Sequence, residues 1–320
     1  MGGGSYDRDV YRSSKSSGGF SFSDDSASAV GSDYADSALM PKGRHIECTH
    51  KNPVVIDLDV TGSMGNWART IYDKMPMFFG QIVQQNYLPD LSISFAANGD
   101  ANGDDCPIQV CDFAEGTALD ADLAKIWLEG GGGGGARETY ELMAYYYAHF
   151  CKIPEDSAPY FFFLADEGAY EEVKTNHVSA LFGKSIKQNV STKKVFTALK
   201  KKFKGNVFLI HKHYSGDANS STNKRIVAQW EDLLGSDHVL IMQDPKAVVD
   251  VMLGAIAMTS GSRDLAGYLV DMKNRGQDAK RISEVSETLS AVGTALVKVD
   301  TTDQLPDEPG ANRKTKTKRL

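Results

Sequence analysis

Short apolar runs alternate with amphipathic helical patterns through the middle of this chain, and this alternation constrains the fold more than any other feature. Two of the runs, Pro53–Asp59 and Tyr160–Leu164, are almost continuously apolar, which is typical of strands buried on both faces. Six runs are predicted as strands: Pro53–Asp59, Leu91–Ala96, Ile108–Phe113, Tyr160–Leu164, Val207–Ile210 and His238–Met242. Strands that alternate with helices usually pair in parallel, with helices covering both faces of the sheet.

The segments between these runs carry apolar residues at helical spacing, most clearly in Asn66–Gln85 and Thr192–Phe203. Asp244 followed by Pro245 predicts the start of a further helix, with an acidic N-cap and proline at the first helical position. The link between the second and third strands, residues 98–107, is short and indicates a hairpin. We therefore expect an α/β fold, Rossmann-like and doubly wound, with a mostly parallel six-stranded sheet and one antiparallel edge strand.

Composition divides the chain into four segments. Residues 1–42 are rich in Ser and Gly and poor in aliphatic residues, which predicts a flexible arm. Residues 43–260 hold the predicted domain, and residues 261–300 a helical extension, in which Asp278–Val292 carries one apolar stripe that suits packing on its own domain or, alternatively, a homo-oligomer. Residues 301–320 are polar and basic, which predicts a disordered tail.

Charge and hydropathy exclude two classes of function. The 35 Lys and Arg residues against 42 Asp and Glu give a net charge of −7, so the chain lacks the basic excess of a general nucleic-acid binder. The longest apolar run, Val248–Met258, contains Asp250 and is too short to span a membrane. The four cysteines, Cys48, Cys106, Cys111 and Cys151, are too few for a disulfide framework. A reducing, cytoplasmic location is the expectation.

Oxygen-bearing side chains follow the strands that are predicted at the centre of the sheet. The first strand ends at Asp59, and Thr61 and Ser63 follow at alternate positions; the fourth strand is followed by Asp166. Ligands of open α/β sheets gather beyond the carboxyl ends of the strands. Carboxylates and hydroxyls are hard donors that suit Mg²⁺ or Mn²⁺, and Mg²⁺ leaves room for an external ligand.

This pattern resembles the von Willebrand factor A domain and its metal-ion-dependent adhesion site. The resemblance covers roughly residues 50–260 and rests on Asp59-x-Thr61-x-Ser63 with Met64 behind it, the glycine run 130–135, and Asp166. It implies that the hydroxyls of Thr61 and Ser63 bind Mg²⁺ or Mn²⁺, with Asp59 and Asp166 binding directly or through water. It also implies a non-enzymatic protein-binding module that captures a carboxylate of a partner protein.

The third loop of the site departs from the family pattern, because no threonine directly follows the glycine run. Either Thr139 or Glu138 could supply the ligand there. We expect Thr139, because the family pattern requires a hydroxyl. Glu138 is the alternative, although an acidic residue there could instead stabilise the positive end of the next helix.

A phosphatase of the haloacid-dehalogenase type is the competing hypothesis for the same strand. Asp57 would be the nucleophile and Asp59 the general acid/base, with Mg²⁺ held by Asp166 or Glu167. This hypothesis leaves the hydroxyl and glycine loops unexplained, and the second strand ends in alanines, which offer no hydroxyl for a phosphate. Lys152 is the best available cation for the transition state. The adhesion-type site is therefore the preferred prediction.

Overall fold

The computed structural model describes residues 36–130 and 135–299, with side chains up to Val292. Most of the predicted arm and the whole of the basic tail 301–320 lie outside the described residues. Within residues 36–42, Ser37–Leu39 forms one turn of 3-10 helix, and the side chain of Leu39 is buried in the core.

A single six-stranded sheet forms the centre of the protein. Its strands are β1 (Asn52–Asp59), β2 (Leu91–Asn98), β3 (Ile108–Val110), β4 (Tyr160–Ala165), β5 (Val207–His211) and β6 (Val239–Ile241). They lie in the order β6-β5-β4-β1-β2-β3, and all neighbours are parallel except β2 and β3. The predicted mostly parallel six-stranded sheet with an antiparallel edge strand is confirmed.

The register of the central strands brings their polar ends together. Asp59 lies opposite Asn98 on β2, and Leu58 lies opposite Leu164 on β4. Because Asp166 follows β4 by one residue, it emerges at the same edge of the sheet as Asp59. This is the carboxyl edge, where ligands of parallel sheets are expected.

Helices cover both faces of the sheet, as expected for buried parallel strands. The longer helices are α1 (Asn66–Gln85), α2 (Ala118–Leu123), α3 (Tyr140–His149), α4 (Thr192–Lys202), α5 (Ser221–Leu234), α6 (Val248–Thr259), α7 (Leu265–Asn274) and α8 (Ala279–Val299). Helices α1, α2, α6, α7 and α8 pack in the core on one face, with Val54 and Ile56 of β1. Helices α3, α4 and α5 pack on the other face, with Val55.

The second face is dominated by aromatic rings. Phe163 of β4 packs against Trp230 of α5 with ring centroids 5.3 Å apart, and Tyr140 at the start of α3 lies 5.3 Å from the same indole. All three rings are almost fully buried. This packing fixes the first turn of α3 next to the carboxyl ends of β1 and β4.

The two C-terminal helices belong to the first face. Val285, Leu289 and Val292 of α8 are buried in the same core as α6, so the predicted apolar stripe packs on its own chain. Arg275, after α7, forms an ion pair of 3.0 Å with Asp250 of α6. The helix predicted at Asp244 begins there as a 3-10 turn, capped by the Asp244 carboxylate, which accepts a hydrogen bond from the backbone N–H of Lys246.

No helix within residues 36–130 and 135–299 has the length and the apolar character that a crossing of the membrane requires.

Candidate metal centre

Asp59, Thr61, Ser63 and Asp166 form one connected cluster at the carboxyl edge of the sheet. The Thr61 hydroxyl donates to Asp59 Oδ1 at 2.6 Å and lies 3.1 Å from the Ser63 hydroxyl. The Ser63 hydroxyl in turn donates to Asp166 Oδ1 at 2.9 Å. Two segments that are about a hundred residues apart in the sequence therefore meet through four oxygen-bearing side chains.

The backbone between β1 and α1 holds this arrangement in place. The backbone N–H of Thr61 also donates to Asp59 Oδ1, at 2.9 Å. A short 3-10 turn, Gly62–Met64, follows, and Gly65 has a φ of 51° where the chain turns into α1. A residue with a side chain rarely adopts that conformation, so the glycine permits the tight turn. The buried side chain of Met64 anchors the turn in the core.

Asp59 is a buried carboxyl with both oxygens in use. Its second oxygen accepts a hydrogen bond from the hydroxyl of Tyr140. Burial raises the pKa of Asp59 to about 7, and the nearby charge of Asp166 adds to this effect, while the hydrogen bonds from Thr61 and Tyr140 oppose it. Like charges held together out of water favour either a bound proton or a bound cation.

A lysine that the sequence analysis did not single out completes the cluster. Lys212 Nζ donates to Asp166 Oδ2 at 2.8 Å and to the backbone carbonyl of Ser63 at 2.5 Å. Its side chain is only 12% exposed, and Asp166 is fully buried. Lys212 directly follows β5, which pairs with β4. Its position just beyond the end of a predicted strand is the feature of the sequence that could have indicated it.

Thr139 is fully buried, and its hydroxyl binds the loop after β2. It donates to the backbone carbonyl of Gly99 at 2.5 Å, and the backbone N–H of Ala101 lies 3.4 Å from it. The backbone N–H of Thr139 also donates to the carbonyl of Gly99, at 3.2 Å. These contacts join the start of α3 to the end of β2.

Glu138 is also buried, but it differs from Thr139 in its hydrogen bonds. Residues Arg137–Glu138 form a two-residue parallel strand with Gly168–Ala169, directly after Asp166 and Glu167. Glu138 is 2% exposed, and its Oε2 has no hydrogen-bonding partner among the described residues. Burial raises the pKa of Glu138 to about 10, with further contributions from the charges of Asp59 and Glu167. Glu138 is therefore a buried acid close to Asp59 with an oxygen left to bind a ligand.

This donor set fits a hard divalent cation. Two hydroxyls and the carboxylates of Asp59 and Asp166 are the ligand types that Mg²⁺ and Mn²⁺ prefer. In the part of the chain that the structure describes, no group of three or more His, Cys, Asp or Glu side chains is arranged to hold a metal. Metal binding at this cluster would therefore depend on the hydroxyls of Thr61 and Ser63.

Lys152, the cation of the phosphatase hypothesis, lies apart from the acids of that hypothesis. Asp57 is 1% exposed, and burial, with the charge of Asp59, raises its pKa well above the usual range. Neither of its carboxylate oxygens has a hydrogen-bonding partner among the described residues. Lys152 is exposed and pairs with Glu47 at 2.7 Å, in a short strand beside the segment that precedes β1. That location is on the amino side of the sheet, away from Asp59.

Comparisons with known proteins give only distant structural matches. Neither a protein-family model nor a curated protein sequence matches this chain. The pilus adhesin SpaC from Lactobacillus rhamnosus GG matches over 71% of this chain and 34% of its own length, with 12% identity and a TM-score of 0.47. Proximal thread matrix protein 1 from the mussel byssus matches over 66% of this chain and 49% of its own, with 8% identity and a TM-score of 0.41.

A second structure of the mussel protein, which has a zinc-occupied metal-ion-dependent adhesion motif, matches at 10% identity with a TM-score of 0.41. This chain thus spans between a third and a half of the length of these solved chains. At such scores the matches do not assign the chain to a family. We therefore base its function on the side chains of the cluster.

Proposed function

We propose that this protein is a divalent-cation-dependent binding module that captures a carboxylate of a partner protein, as the resemblance to the von Willebrand factor A domain implies. One observation carries the proposal. Asp59, Thr61, Ser63 and Asp166, which the sequence pattern singles out, are joined by hydrogen bonds of 2.6 to 3.1 Å at the carboxyl edge of the sheet.

Each residue of the cluster would have a separate part in holding Mg²⁺ or Mn²⁺. The hydroxyls of Thr61 and Ser63 would bind as neutral ligands, and Asp59 and Asp166 would supply negative charge directly or through water. The backbone N–H of Thr61 and the hydroxyl of Tyr140 orient the Asp59 carboxylate. When bound, the cation offers a vacant position to an external carboxylate.

For the third loop we propose Glu138 as the ligand in place of Thr139, after a rotation of its side chain toward the cluster, because the described residues do not group it with Asp59 and Asp166 as it stands. The hydroxyl of Thr139 already donates to the carbonyl of Gly99, and a metal contact would compete with that bond. Glu138 has a buried oxygen without a partner in the described segments, and the charge of Asp59 adds to the effect of burial in raising its pKa. A buried acid of this kind is stabilised when a cation replaces its proton.

Calorimetric titration with Mg²⁺ tests the proposal. The wild-type protein should bind Mg²⁺, and Asp59→Asn should lose that binding. The remaining amide oxygen can still accept the hydrogen bonds from Thr61, while the amide nitrogen would donate to the hydroxyl of Tyr140. Asp156→Asn is a matched control, because Asp156 is an exposed acid that pairs with Lys51 near the start of β1, away from the cluster. Unchanged Mg²⁺ affinity in Asp59→Asn would overturn the assignment of the metal centre.

Capture of a partner is tested in a second step. Wild-type protein immobilised on beads should retain proteins from its native lysate in the presence of Mg²⁺ and release them in EDTA. Asp59→Asn should retain none of these proteins, and Asp156→Asn should retain all of them. If the wild type binds Mg²⁺ but retains the same proteins with and without EDTA, the cation has no part in partner binding.

A further inference from the structure

Lys212 places a positive charge inside the cluster that would hold the metal. Its ammonium group lies 2.8 Å from Asp166 Oδ2 and 2.5 Å from the carbonyl of Ser63, which belong to two of the proposed ligand residues. Its own backbone N–H donates to the carbonyl of Ala165 at 3.1 Å, so the residue is fixed at the end of β4. With 12% of the side chain exposed, the ammonium is largely shielded from water.

The ammonium of Lys212 changes the net charge of the site. The ammonium contacts Asp166, which is joined to Asp59 through the hydroxyls of Ser63 and Thr61. Lys212 therefore adds one positive charge to the charge of a divalent ion and its acidic ligands. A centre with one more positive charge attracts an external carboxylate more strongly and a divalent cation less strongly.

We infer that the ammonium of Lys212 acts as a second cation of the site, which weakens the binding of the divalent ion and strengthens the capture of an external carboxylate. This inference rests on the proposed function. It concerns how strongly the same site binds a divalent ion and an external carboxylate. Without the metal, Lys212 neutralises the buried carboxylate of Asp166. With the metal, it repels the divalent ion and adds a positive charge that attracts an external carboxylate.

Substitution of Lys212 by glutamine, compared with Lys212→Arg, tests the inference. Glutamine keeps a hydrogen-bond donor near Asp166 without the charge, whereas arginine keeps the charge. In EDTA, Lys212→Gln should melt at a lower temperature than the wild type, because Asp166 loses its counter-ion. In calorimetry with Mg²⁺ alone, Lys212→Gln should bind about tenfold or more tightly, because one repelling charge has gone. Lys212→Arg should stay near the wild-type affinity.

These measurements distinguish the charge-based role of Lys212 from a purely structural role. A purely structural role would lower the melting temperature of Lys212→Gln without tightening Mg²⁺ binding, and that result would overturn the inference while the proposed function stands. If the wild type binds no Mg²⁺, the proposed function itself fails and the inference falls with it. Should Lys212→Gln not fold in EDTA, millimolar Mg²⁺ should restore folding by supplying the missing charge; no recovery in Mg²⁺ would also overturn the inference.

Discussion

At the scale of single residues, Glu138 and Thr139 are neighbours in the chain but differ in their hydrogen bonds. The hydroxyl of Thr139 donates to the carbonyl of Gly99, whereas Glu138 Oε2 has no partner among the described residues. Glu138 has a pKa of about 10 and is therefore neutral at pH 7 in the absence of metal. The unfolded chain releases this proton at pH 7, which favours unfolding, so Glu138→Gln should raise the free energy of unfolding in EDTA. The same change should weaken Mg²⁺ binding about tenfold or more, because the metal loses a charged ligand. Calorimetry with Mg²⁺, together with thermal melting in EDTA, measures both effects.

Thr139→Val is the companion experiment. The substitution removes the hydroxyl that donates to the carbonyl of Gly99 and should lower the free energy of unfolding by about 1 kcal/mol. It should leave the affinity for Mg²⁺ unchanged. The opposite pattern, with Mg²⁺ binding lost in Thr139→Val and kept in Glu138→Gln, would identify Thr139 as the third-loop ligand, as the sequence pattern predicted.

His211, beside Lys212, gives a prediction for pH dependence. Its ring is fully buried, with Nδ1 3.2 Å from the carbonyl of Ala165 and Nε2 3.0 Å from Asn223 Oδ1. Burial lowers the pKa of His211 to about 4. The unfolded chain then binds a proton near pH 6.5 that the folded protein does not bind, so His211 makes stability rise with pH between about 4 and 6.5.

Between pH 7.5 and pH 5 this difference amounts to about 2 kcal/mol of unfolding free energy. His211→Gln removes the titrating group, so the wild type should lose about that much more stability than the variant over this range. Urea unfolding of both proteins at the two pH values measures the difference. Parallel losses of stability in the two proteins would mean that His211 titrates alike in the folded and unfolded chains.

The sequence predicted part of this cluster and missed part of it, for physical reasons. Asp59, Thr61 and Ser63 share one loop, so their spacing alone indicated a joint site, and Asp166 follows a strand whose apolar run was clear. The position of Lys212 depends on the pairing of β5 with β4, which is a long-range contact. The choice between Glu138 and Thr139 depends on a two-residue strand with Gly168–Ala169, which is too short for any periodic pattern.

At the scale of secondary-structure elements, the contact between α6 and the two C-terminal helices is unusually close. A Cβ added to Gly254 of α6 would lie 2.2 Å from Leu289 Cδ1 of α8 and 2.7 Å from the ring of Tyr268 of α7. Gly254→Ala should therefore lower the unfolding free energy by about 1–3 kcal/mol, because one of these elements must shift. Chemical denaturation measures the loss.

The clash can be assigned by a double-mutant cycle. Leu289→Ala removes the methyl group that a Cβ at residue 254 would meet, although it also leaves a cavity in the core. If that contact is the cause, Gly254→Ala should be less destabilising in the Leu289→Ala background than in the wild type. Additive losses would show that Tyr268, or the backbone of α6, bears the strain instead.

The strands could be predicted from the sequence where burial on both faces requires apolar residues. The central strands β1 and β4 are apolar on both faces, and their predicted bounds agree with the structure within one residue. The third strand was predicted to extend to Phe113 but ends at Val110. It lies at the edge of the sheet and has one neighbour, and beyond it Ala114 makes an isolated bridge with Ile93. An apolar run shows burial, but it does not show where regular pairing ends.

At the scale of the whole molecule, the C-terminal helices are part of the main core. Val285, Leu289 and Val292 of α8 are buried against α6, and each apolar side chain of this kind contributes about 1.5–3 kcal/mol. A chain that ends at Arg275 should therefore lose several kcal/mol of stability and expose the apolar surface of α6. Thermal melting, with sedimentation velocity to detect association, compares it with the 320-residue chain.

A truncated chain with unchanged melting temperature and sedimentation would show that α8 is not needed for the fold. The 320-residue chain serves as the reference for association, and a homo-oligomer remains a prediction. Because the apolar stripe of α8 is used within its own chain, loss of α8 should promote association through the newly exposed surface of α6.

The distance along the chain between the parts of the cluster has a consequence for protein synthesis. Asp59 and Ser63 meet Asp166 and Lys212 only after β1, β4 and β5 have paired side by side. A nascent chain that extends only through β1 and its loop carries the hydroxyls of Thr61 and Ser63. It does not yet contain Asp166 or Lys212. The growing chain therefore stays unable to form the centre until translation has passed residue 212. Binding at this centre would thus require that β1, β4 and β5 have already paired, although β6 is made later.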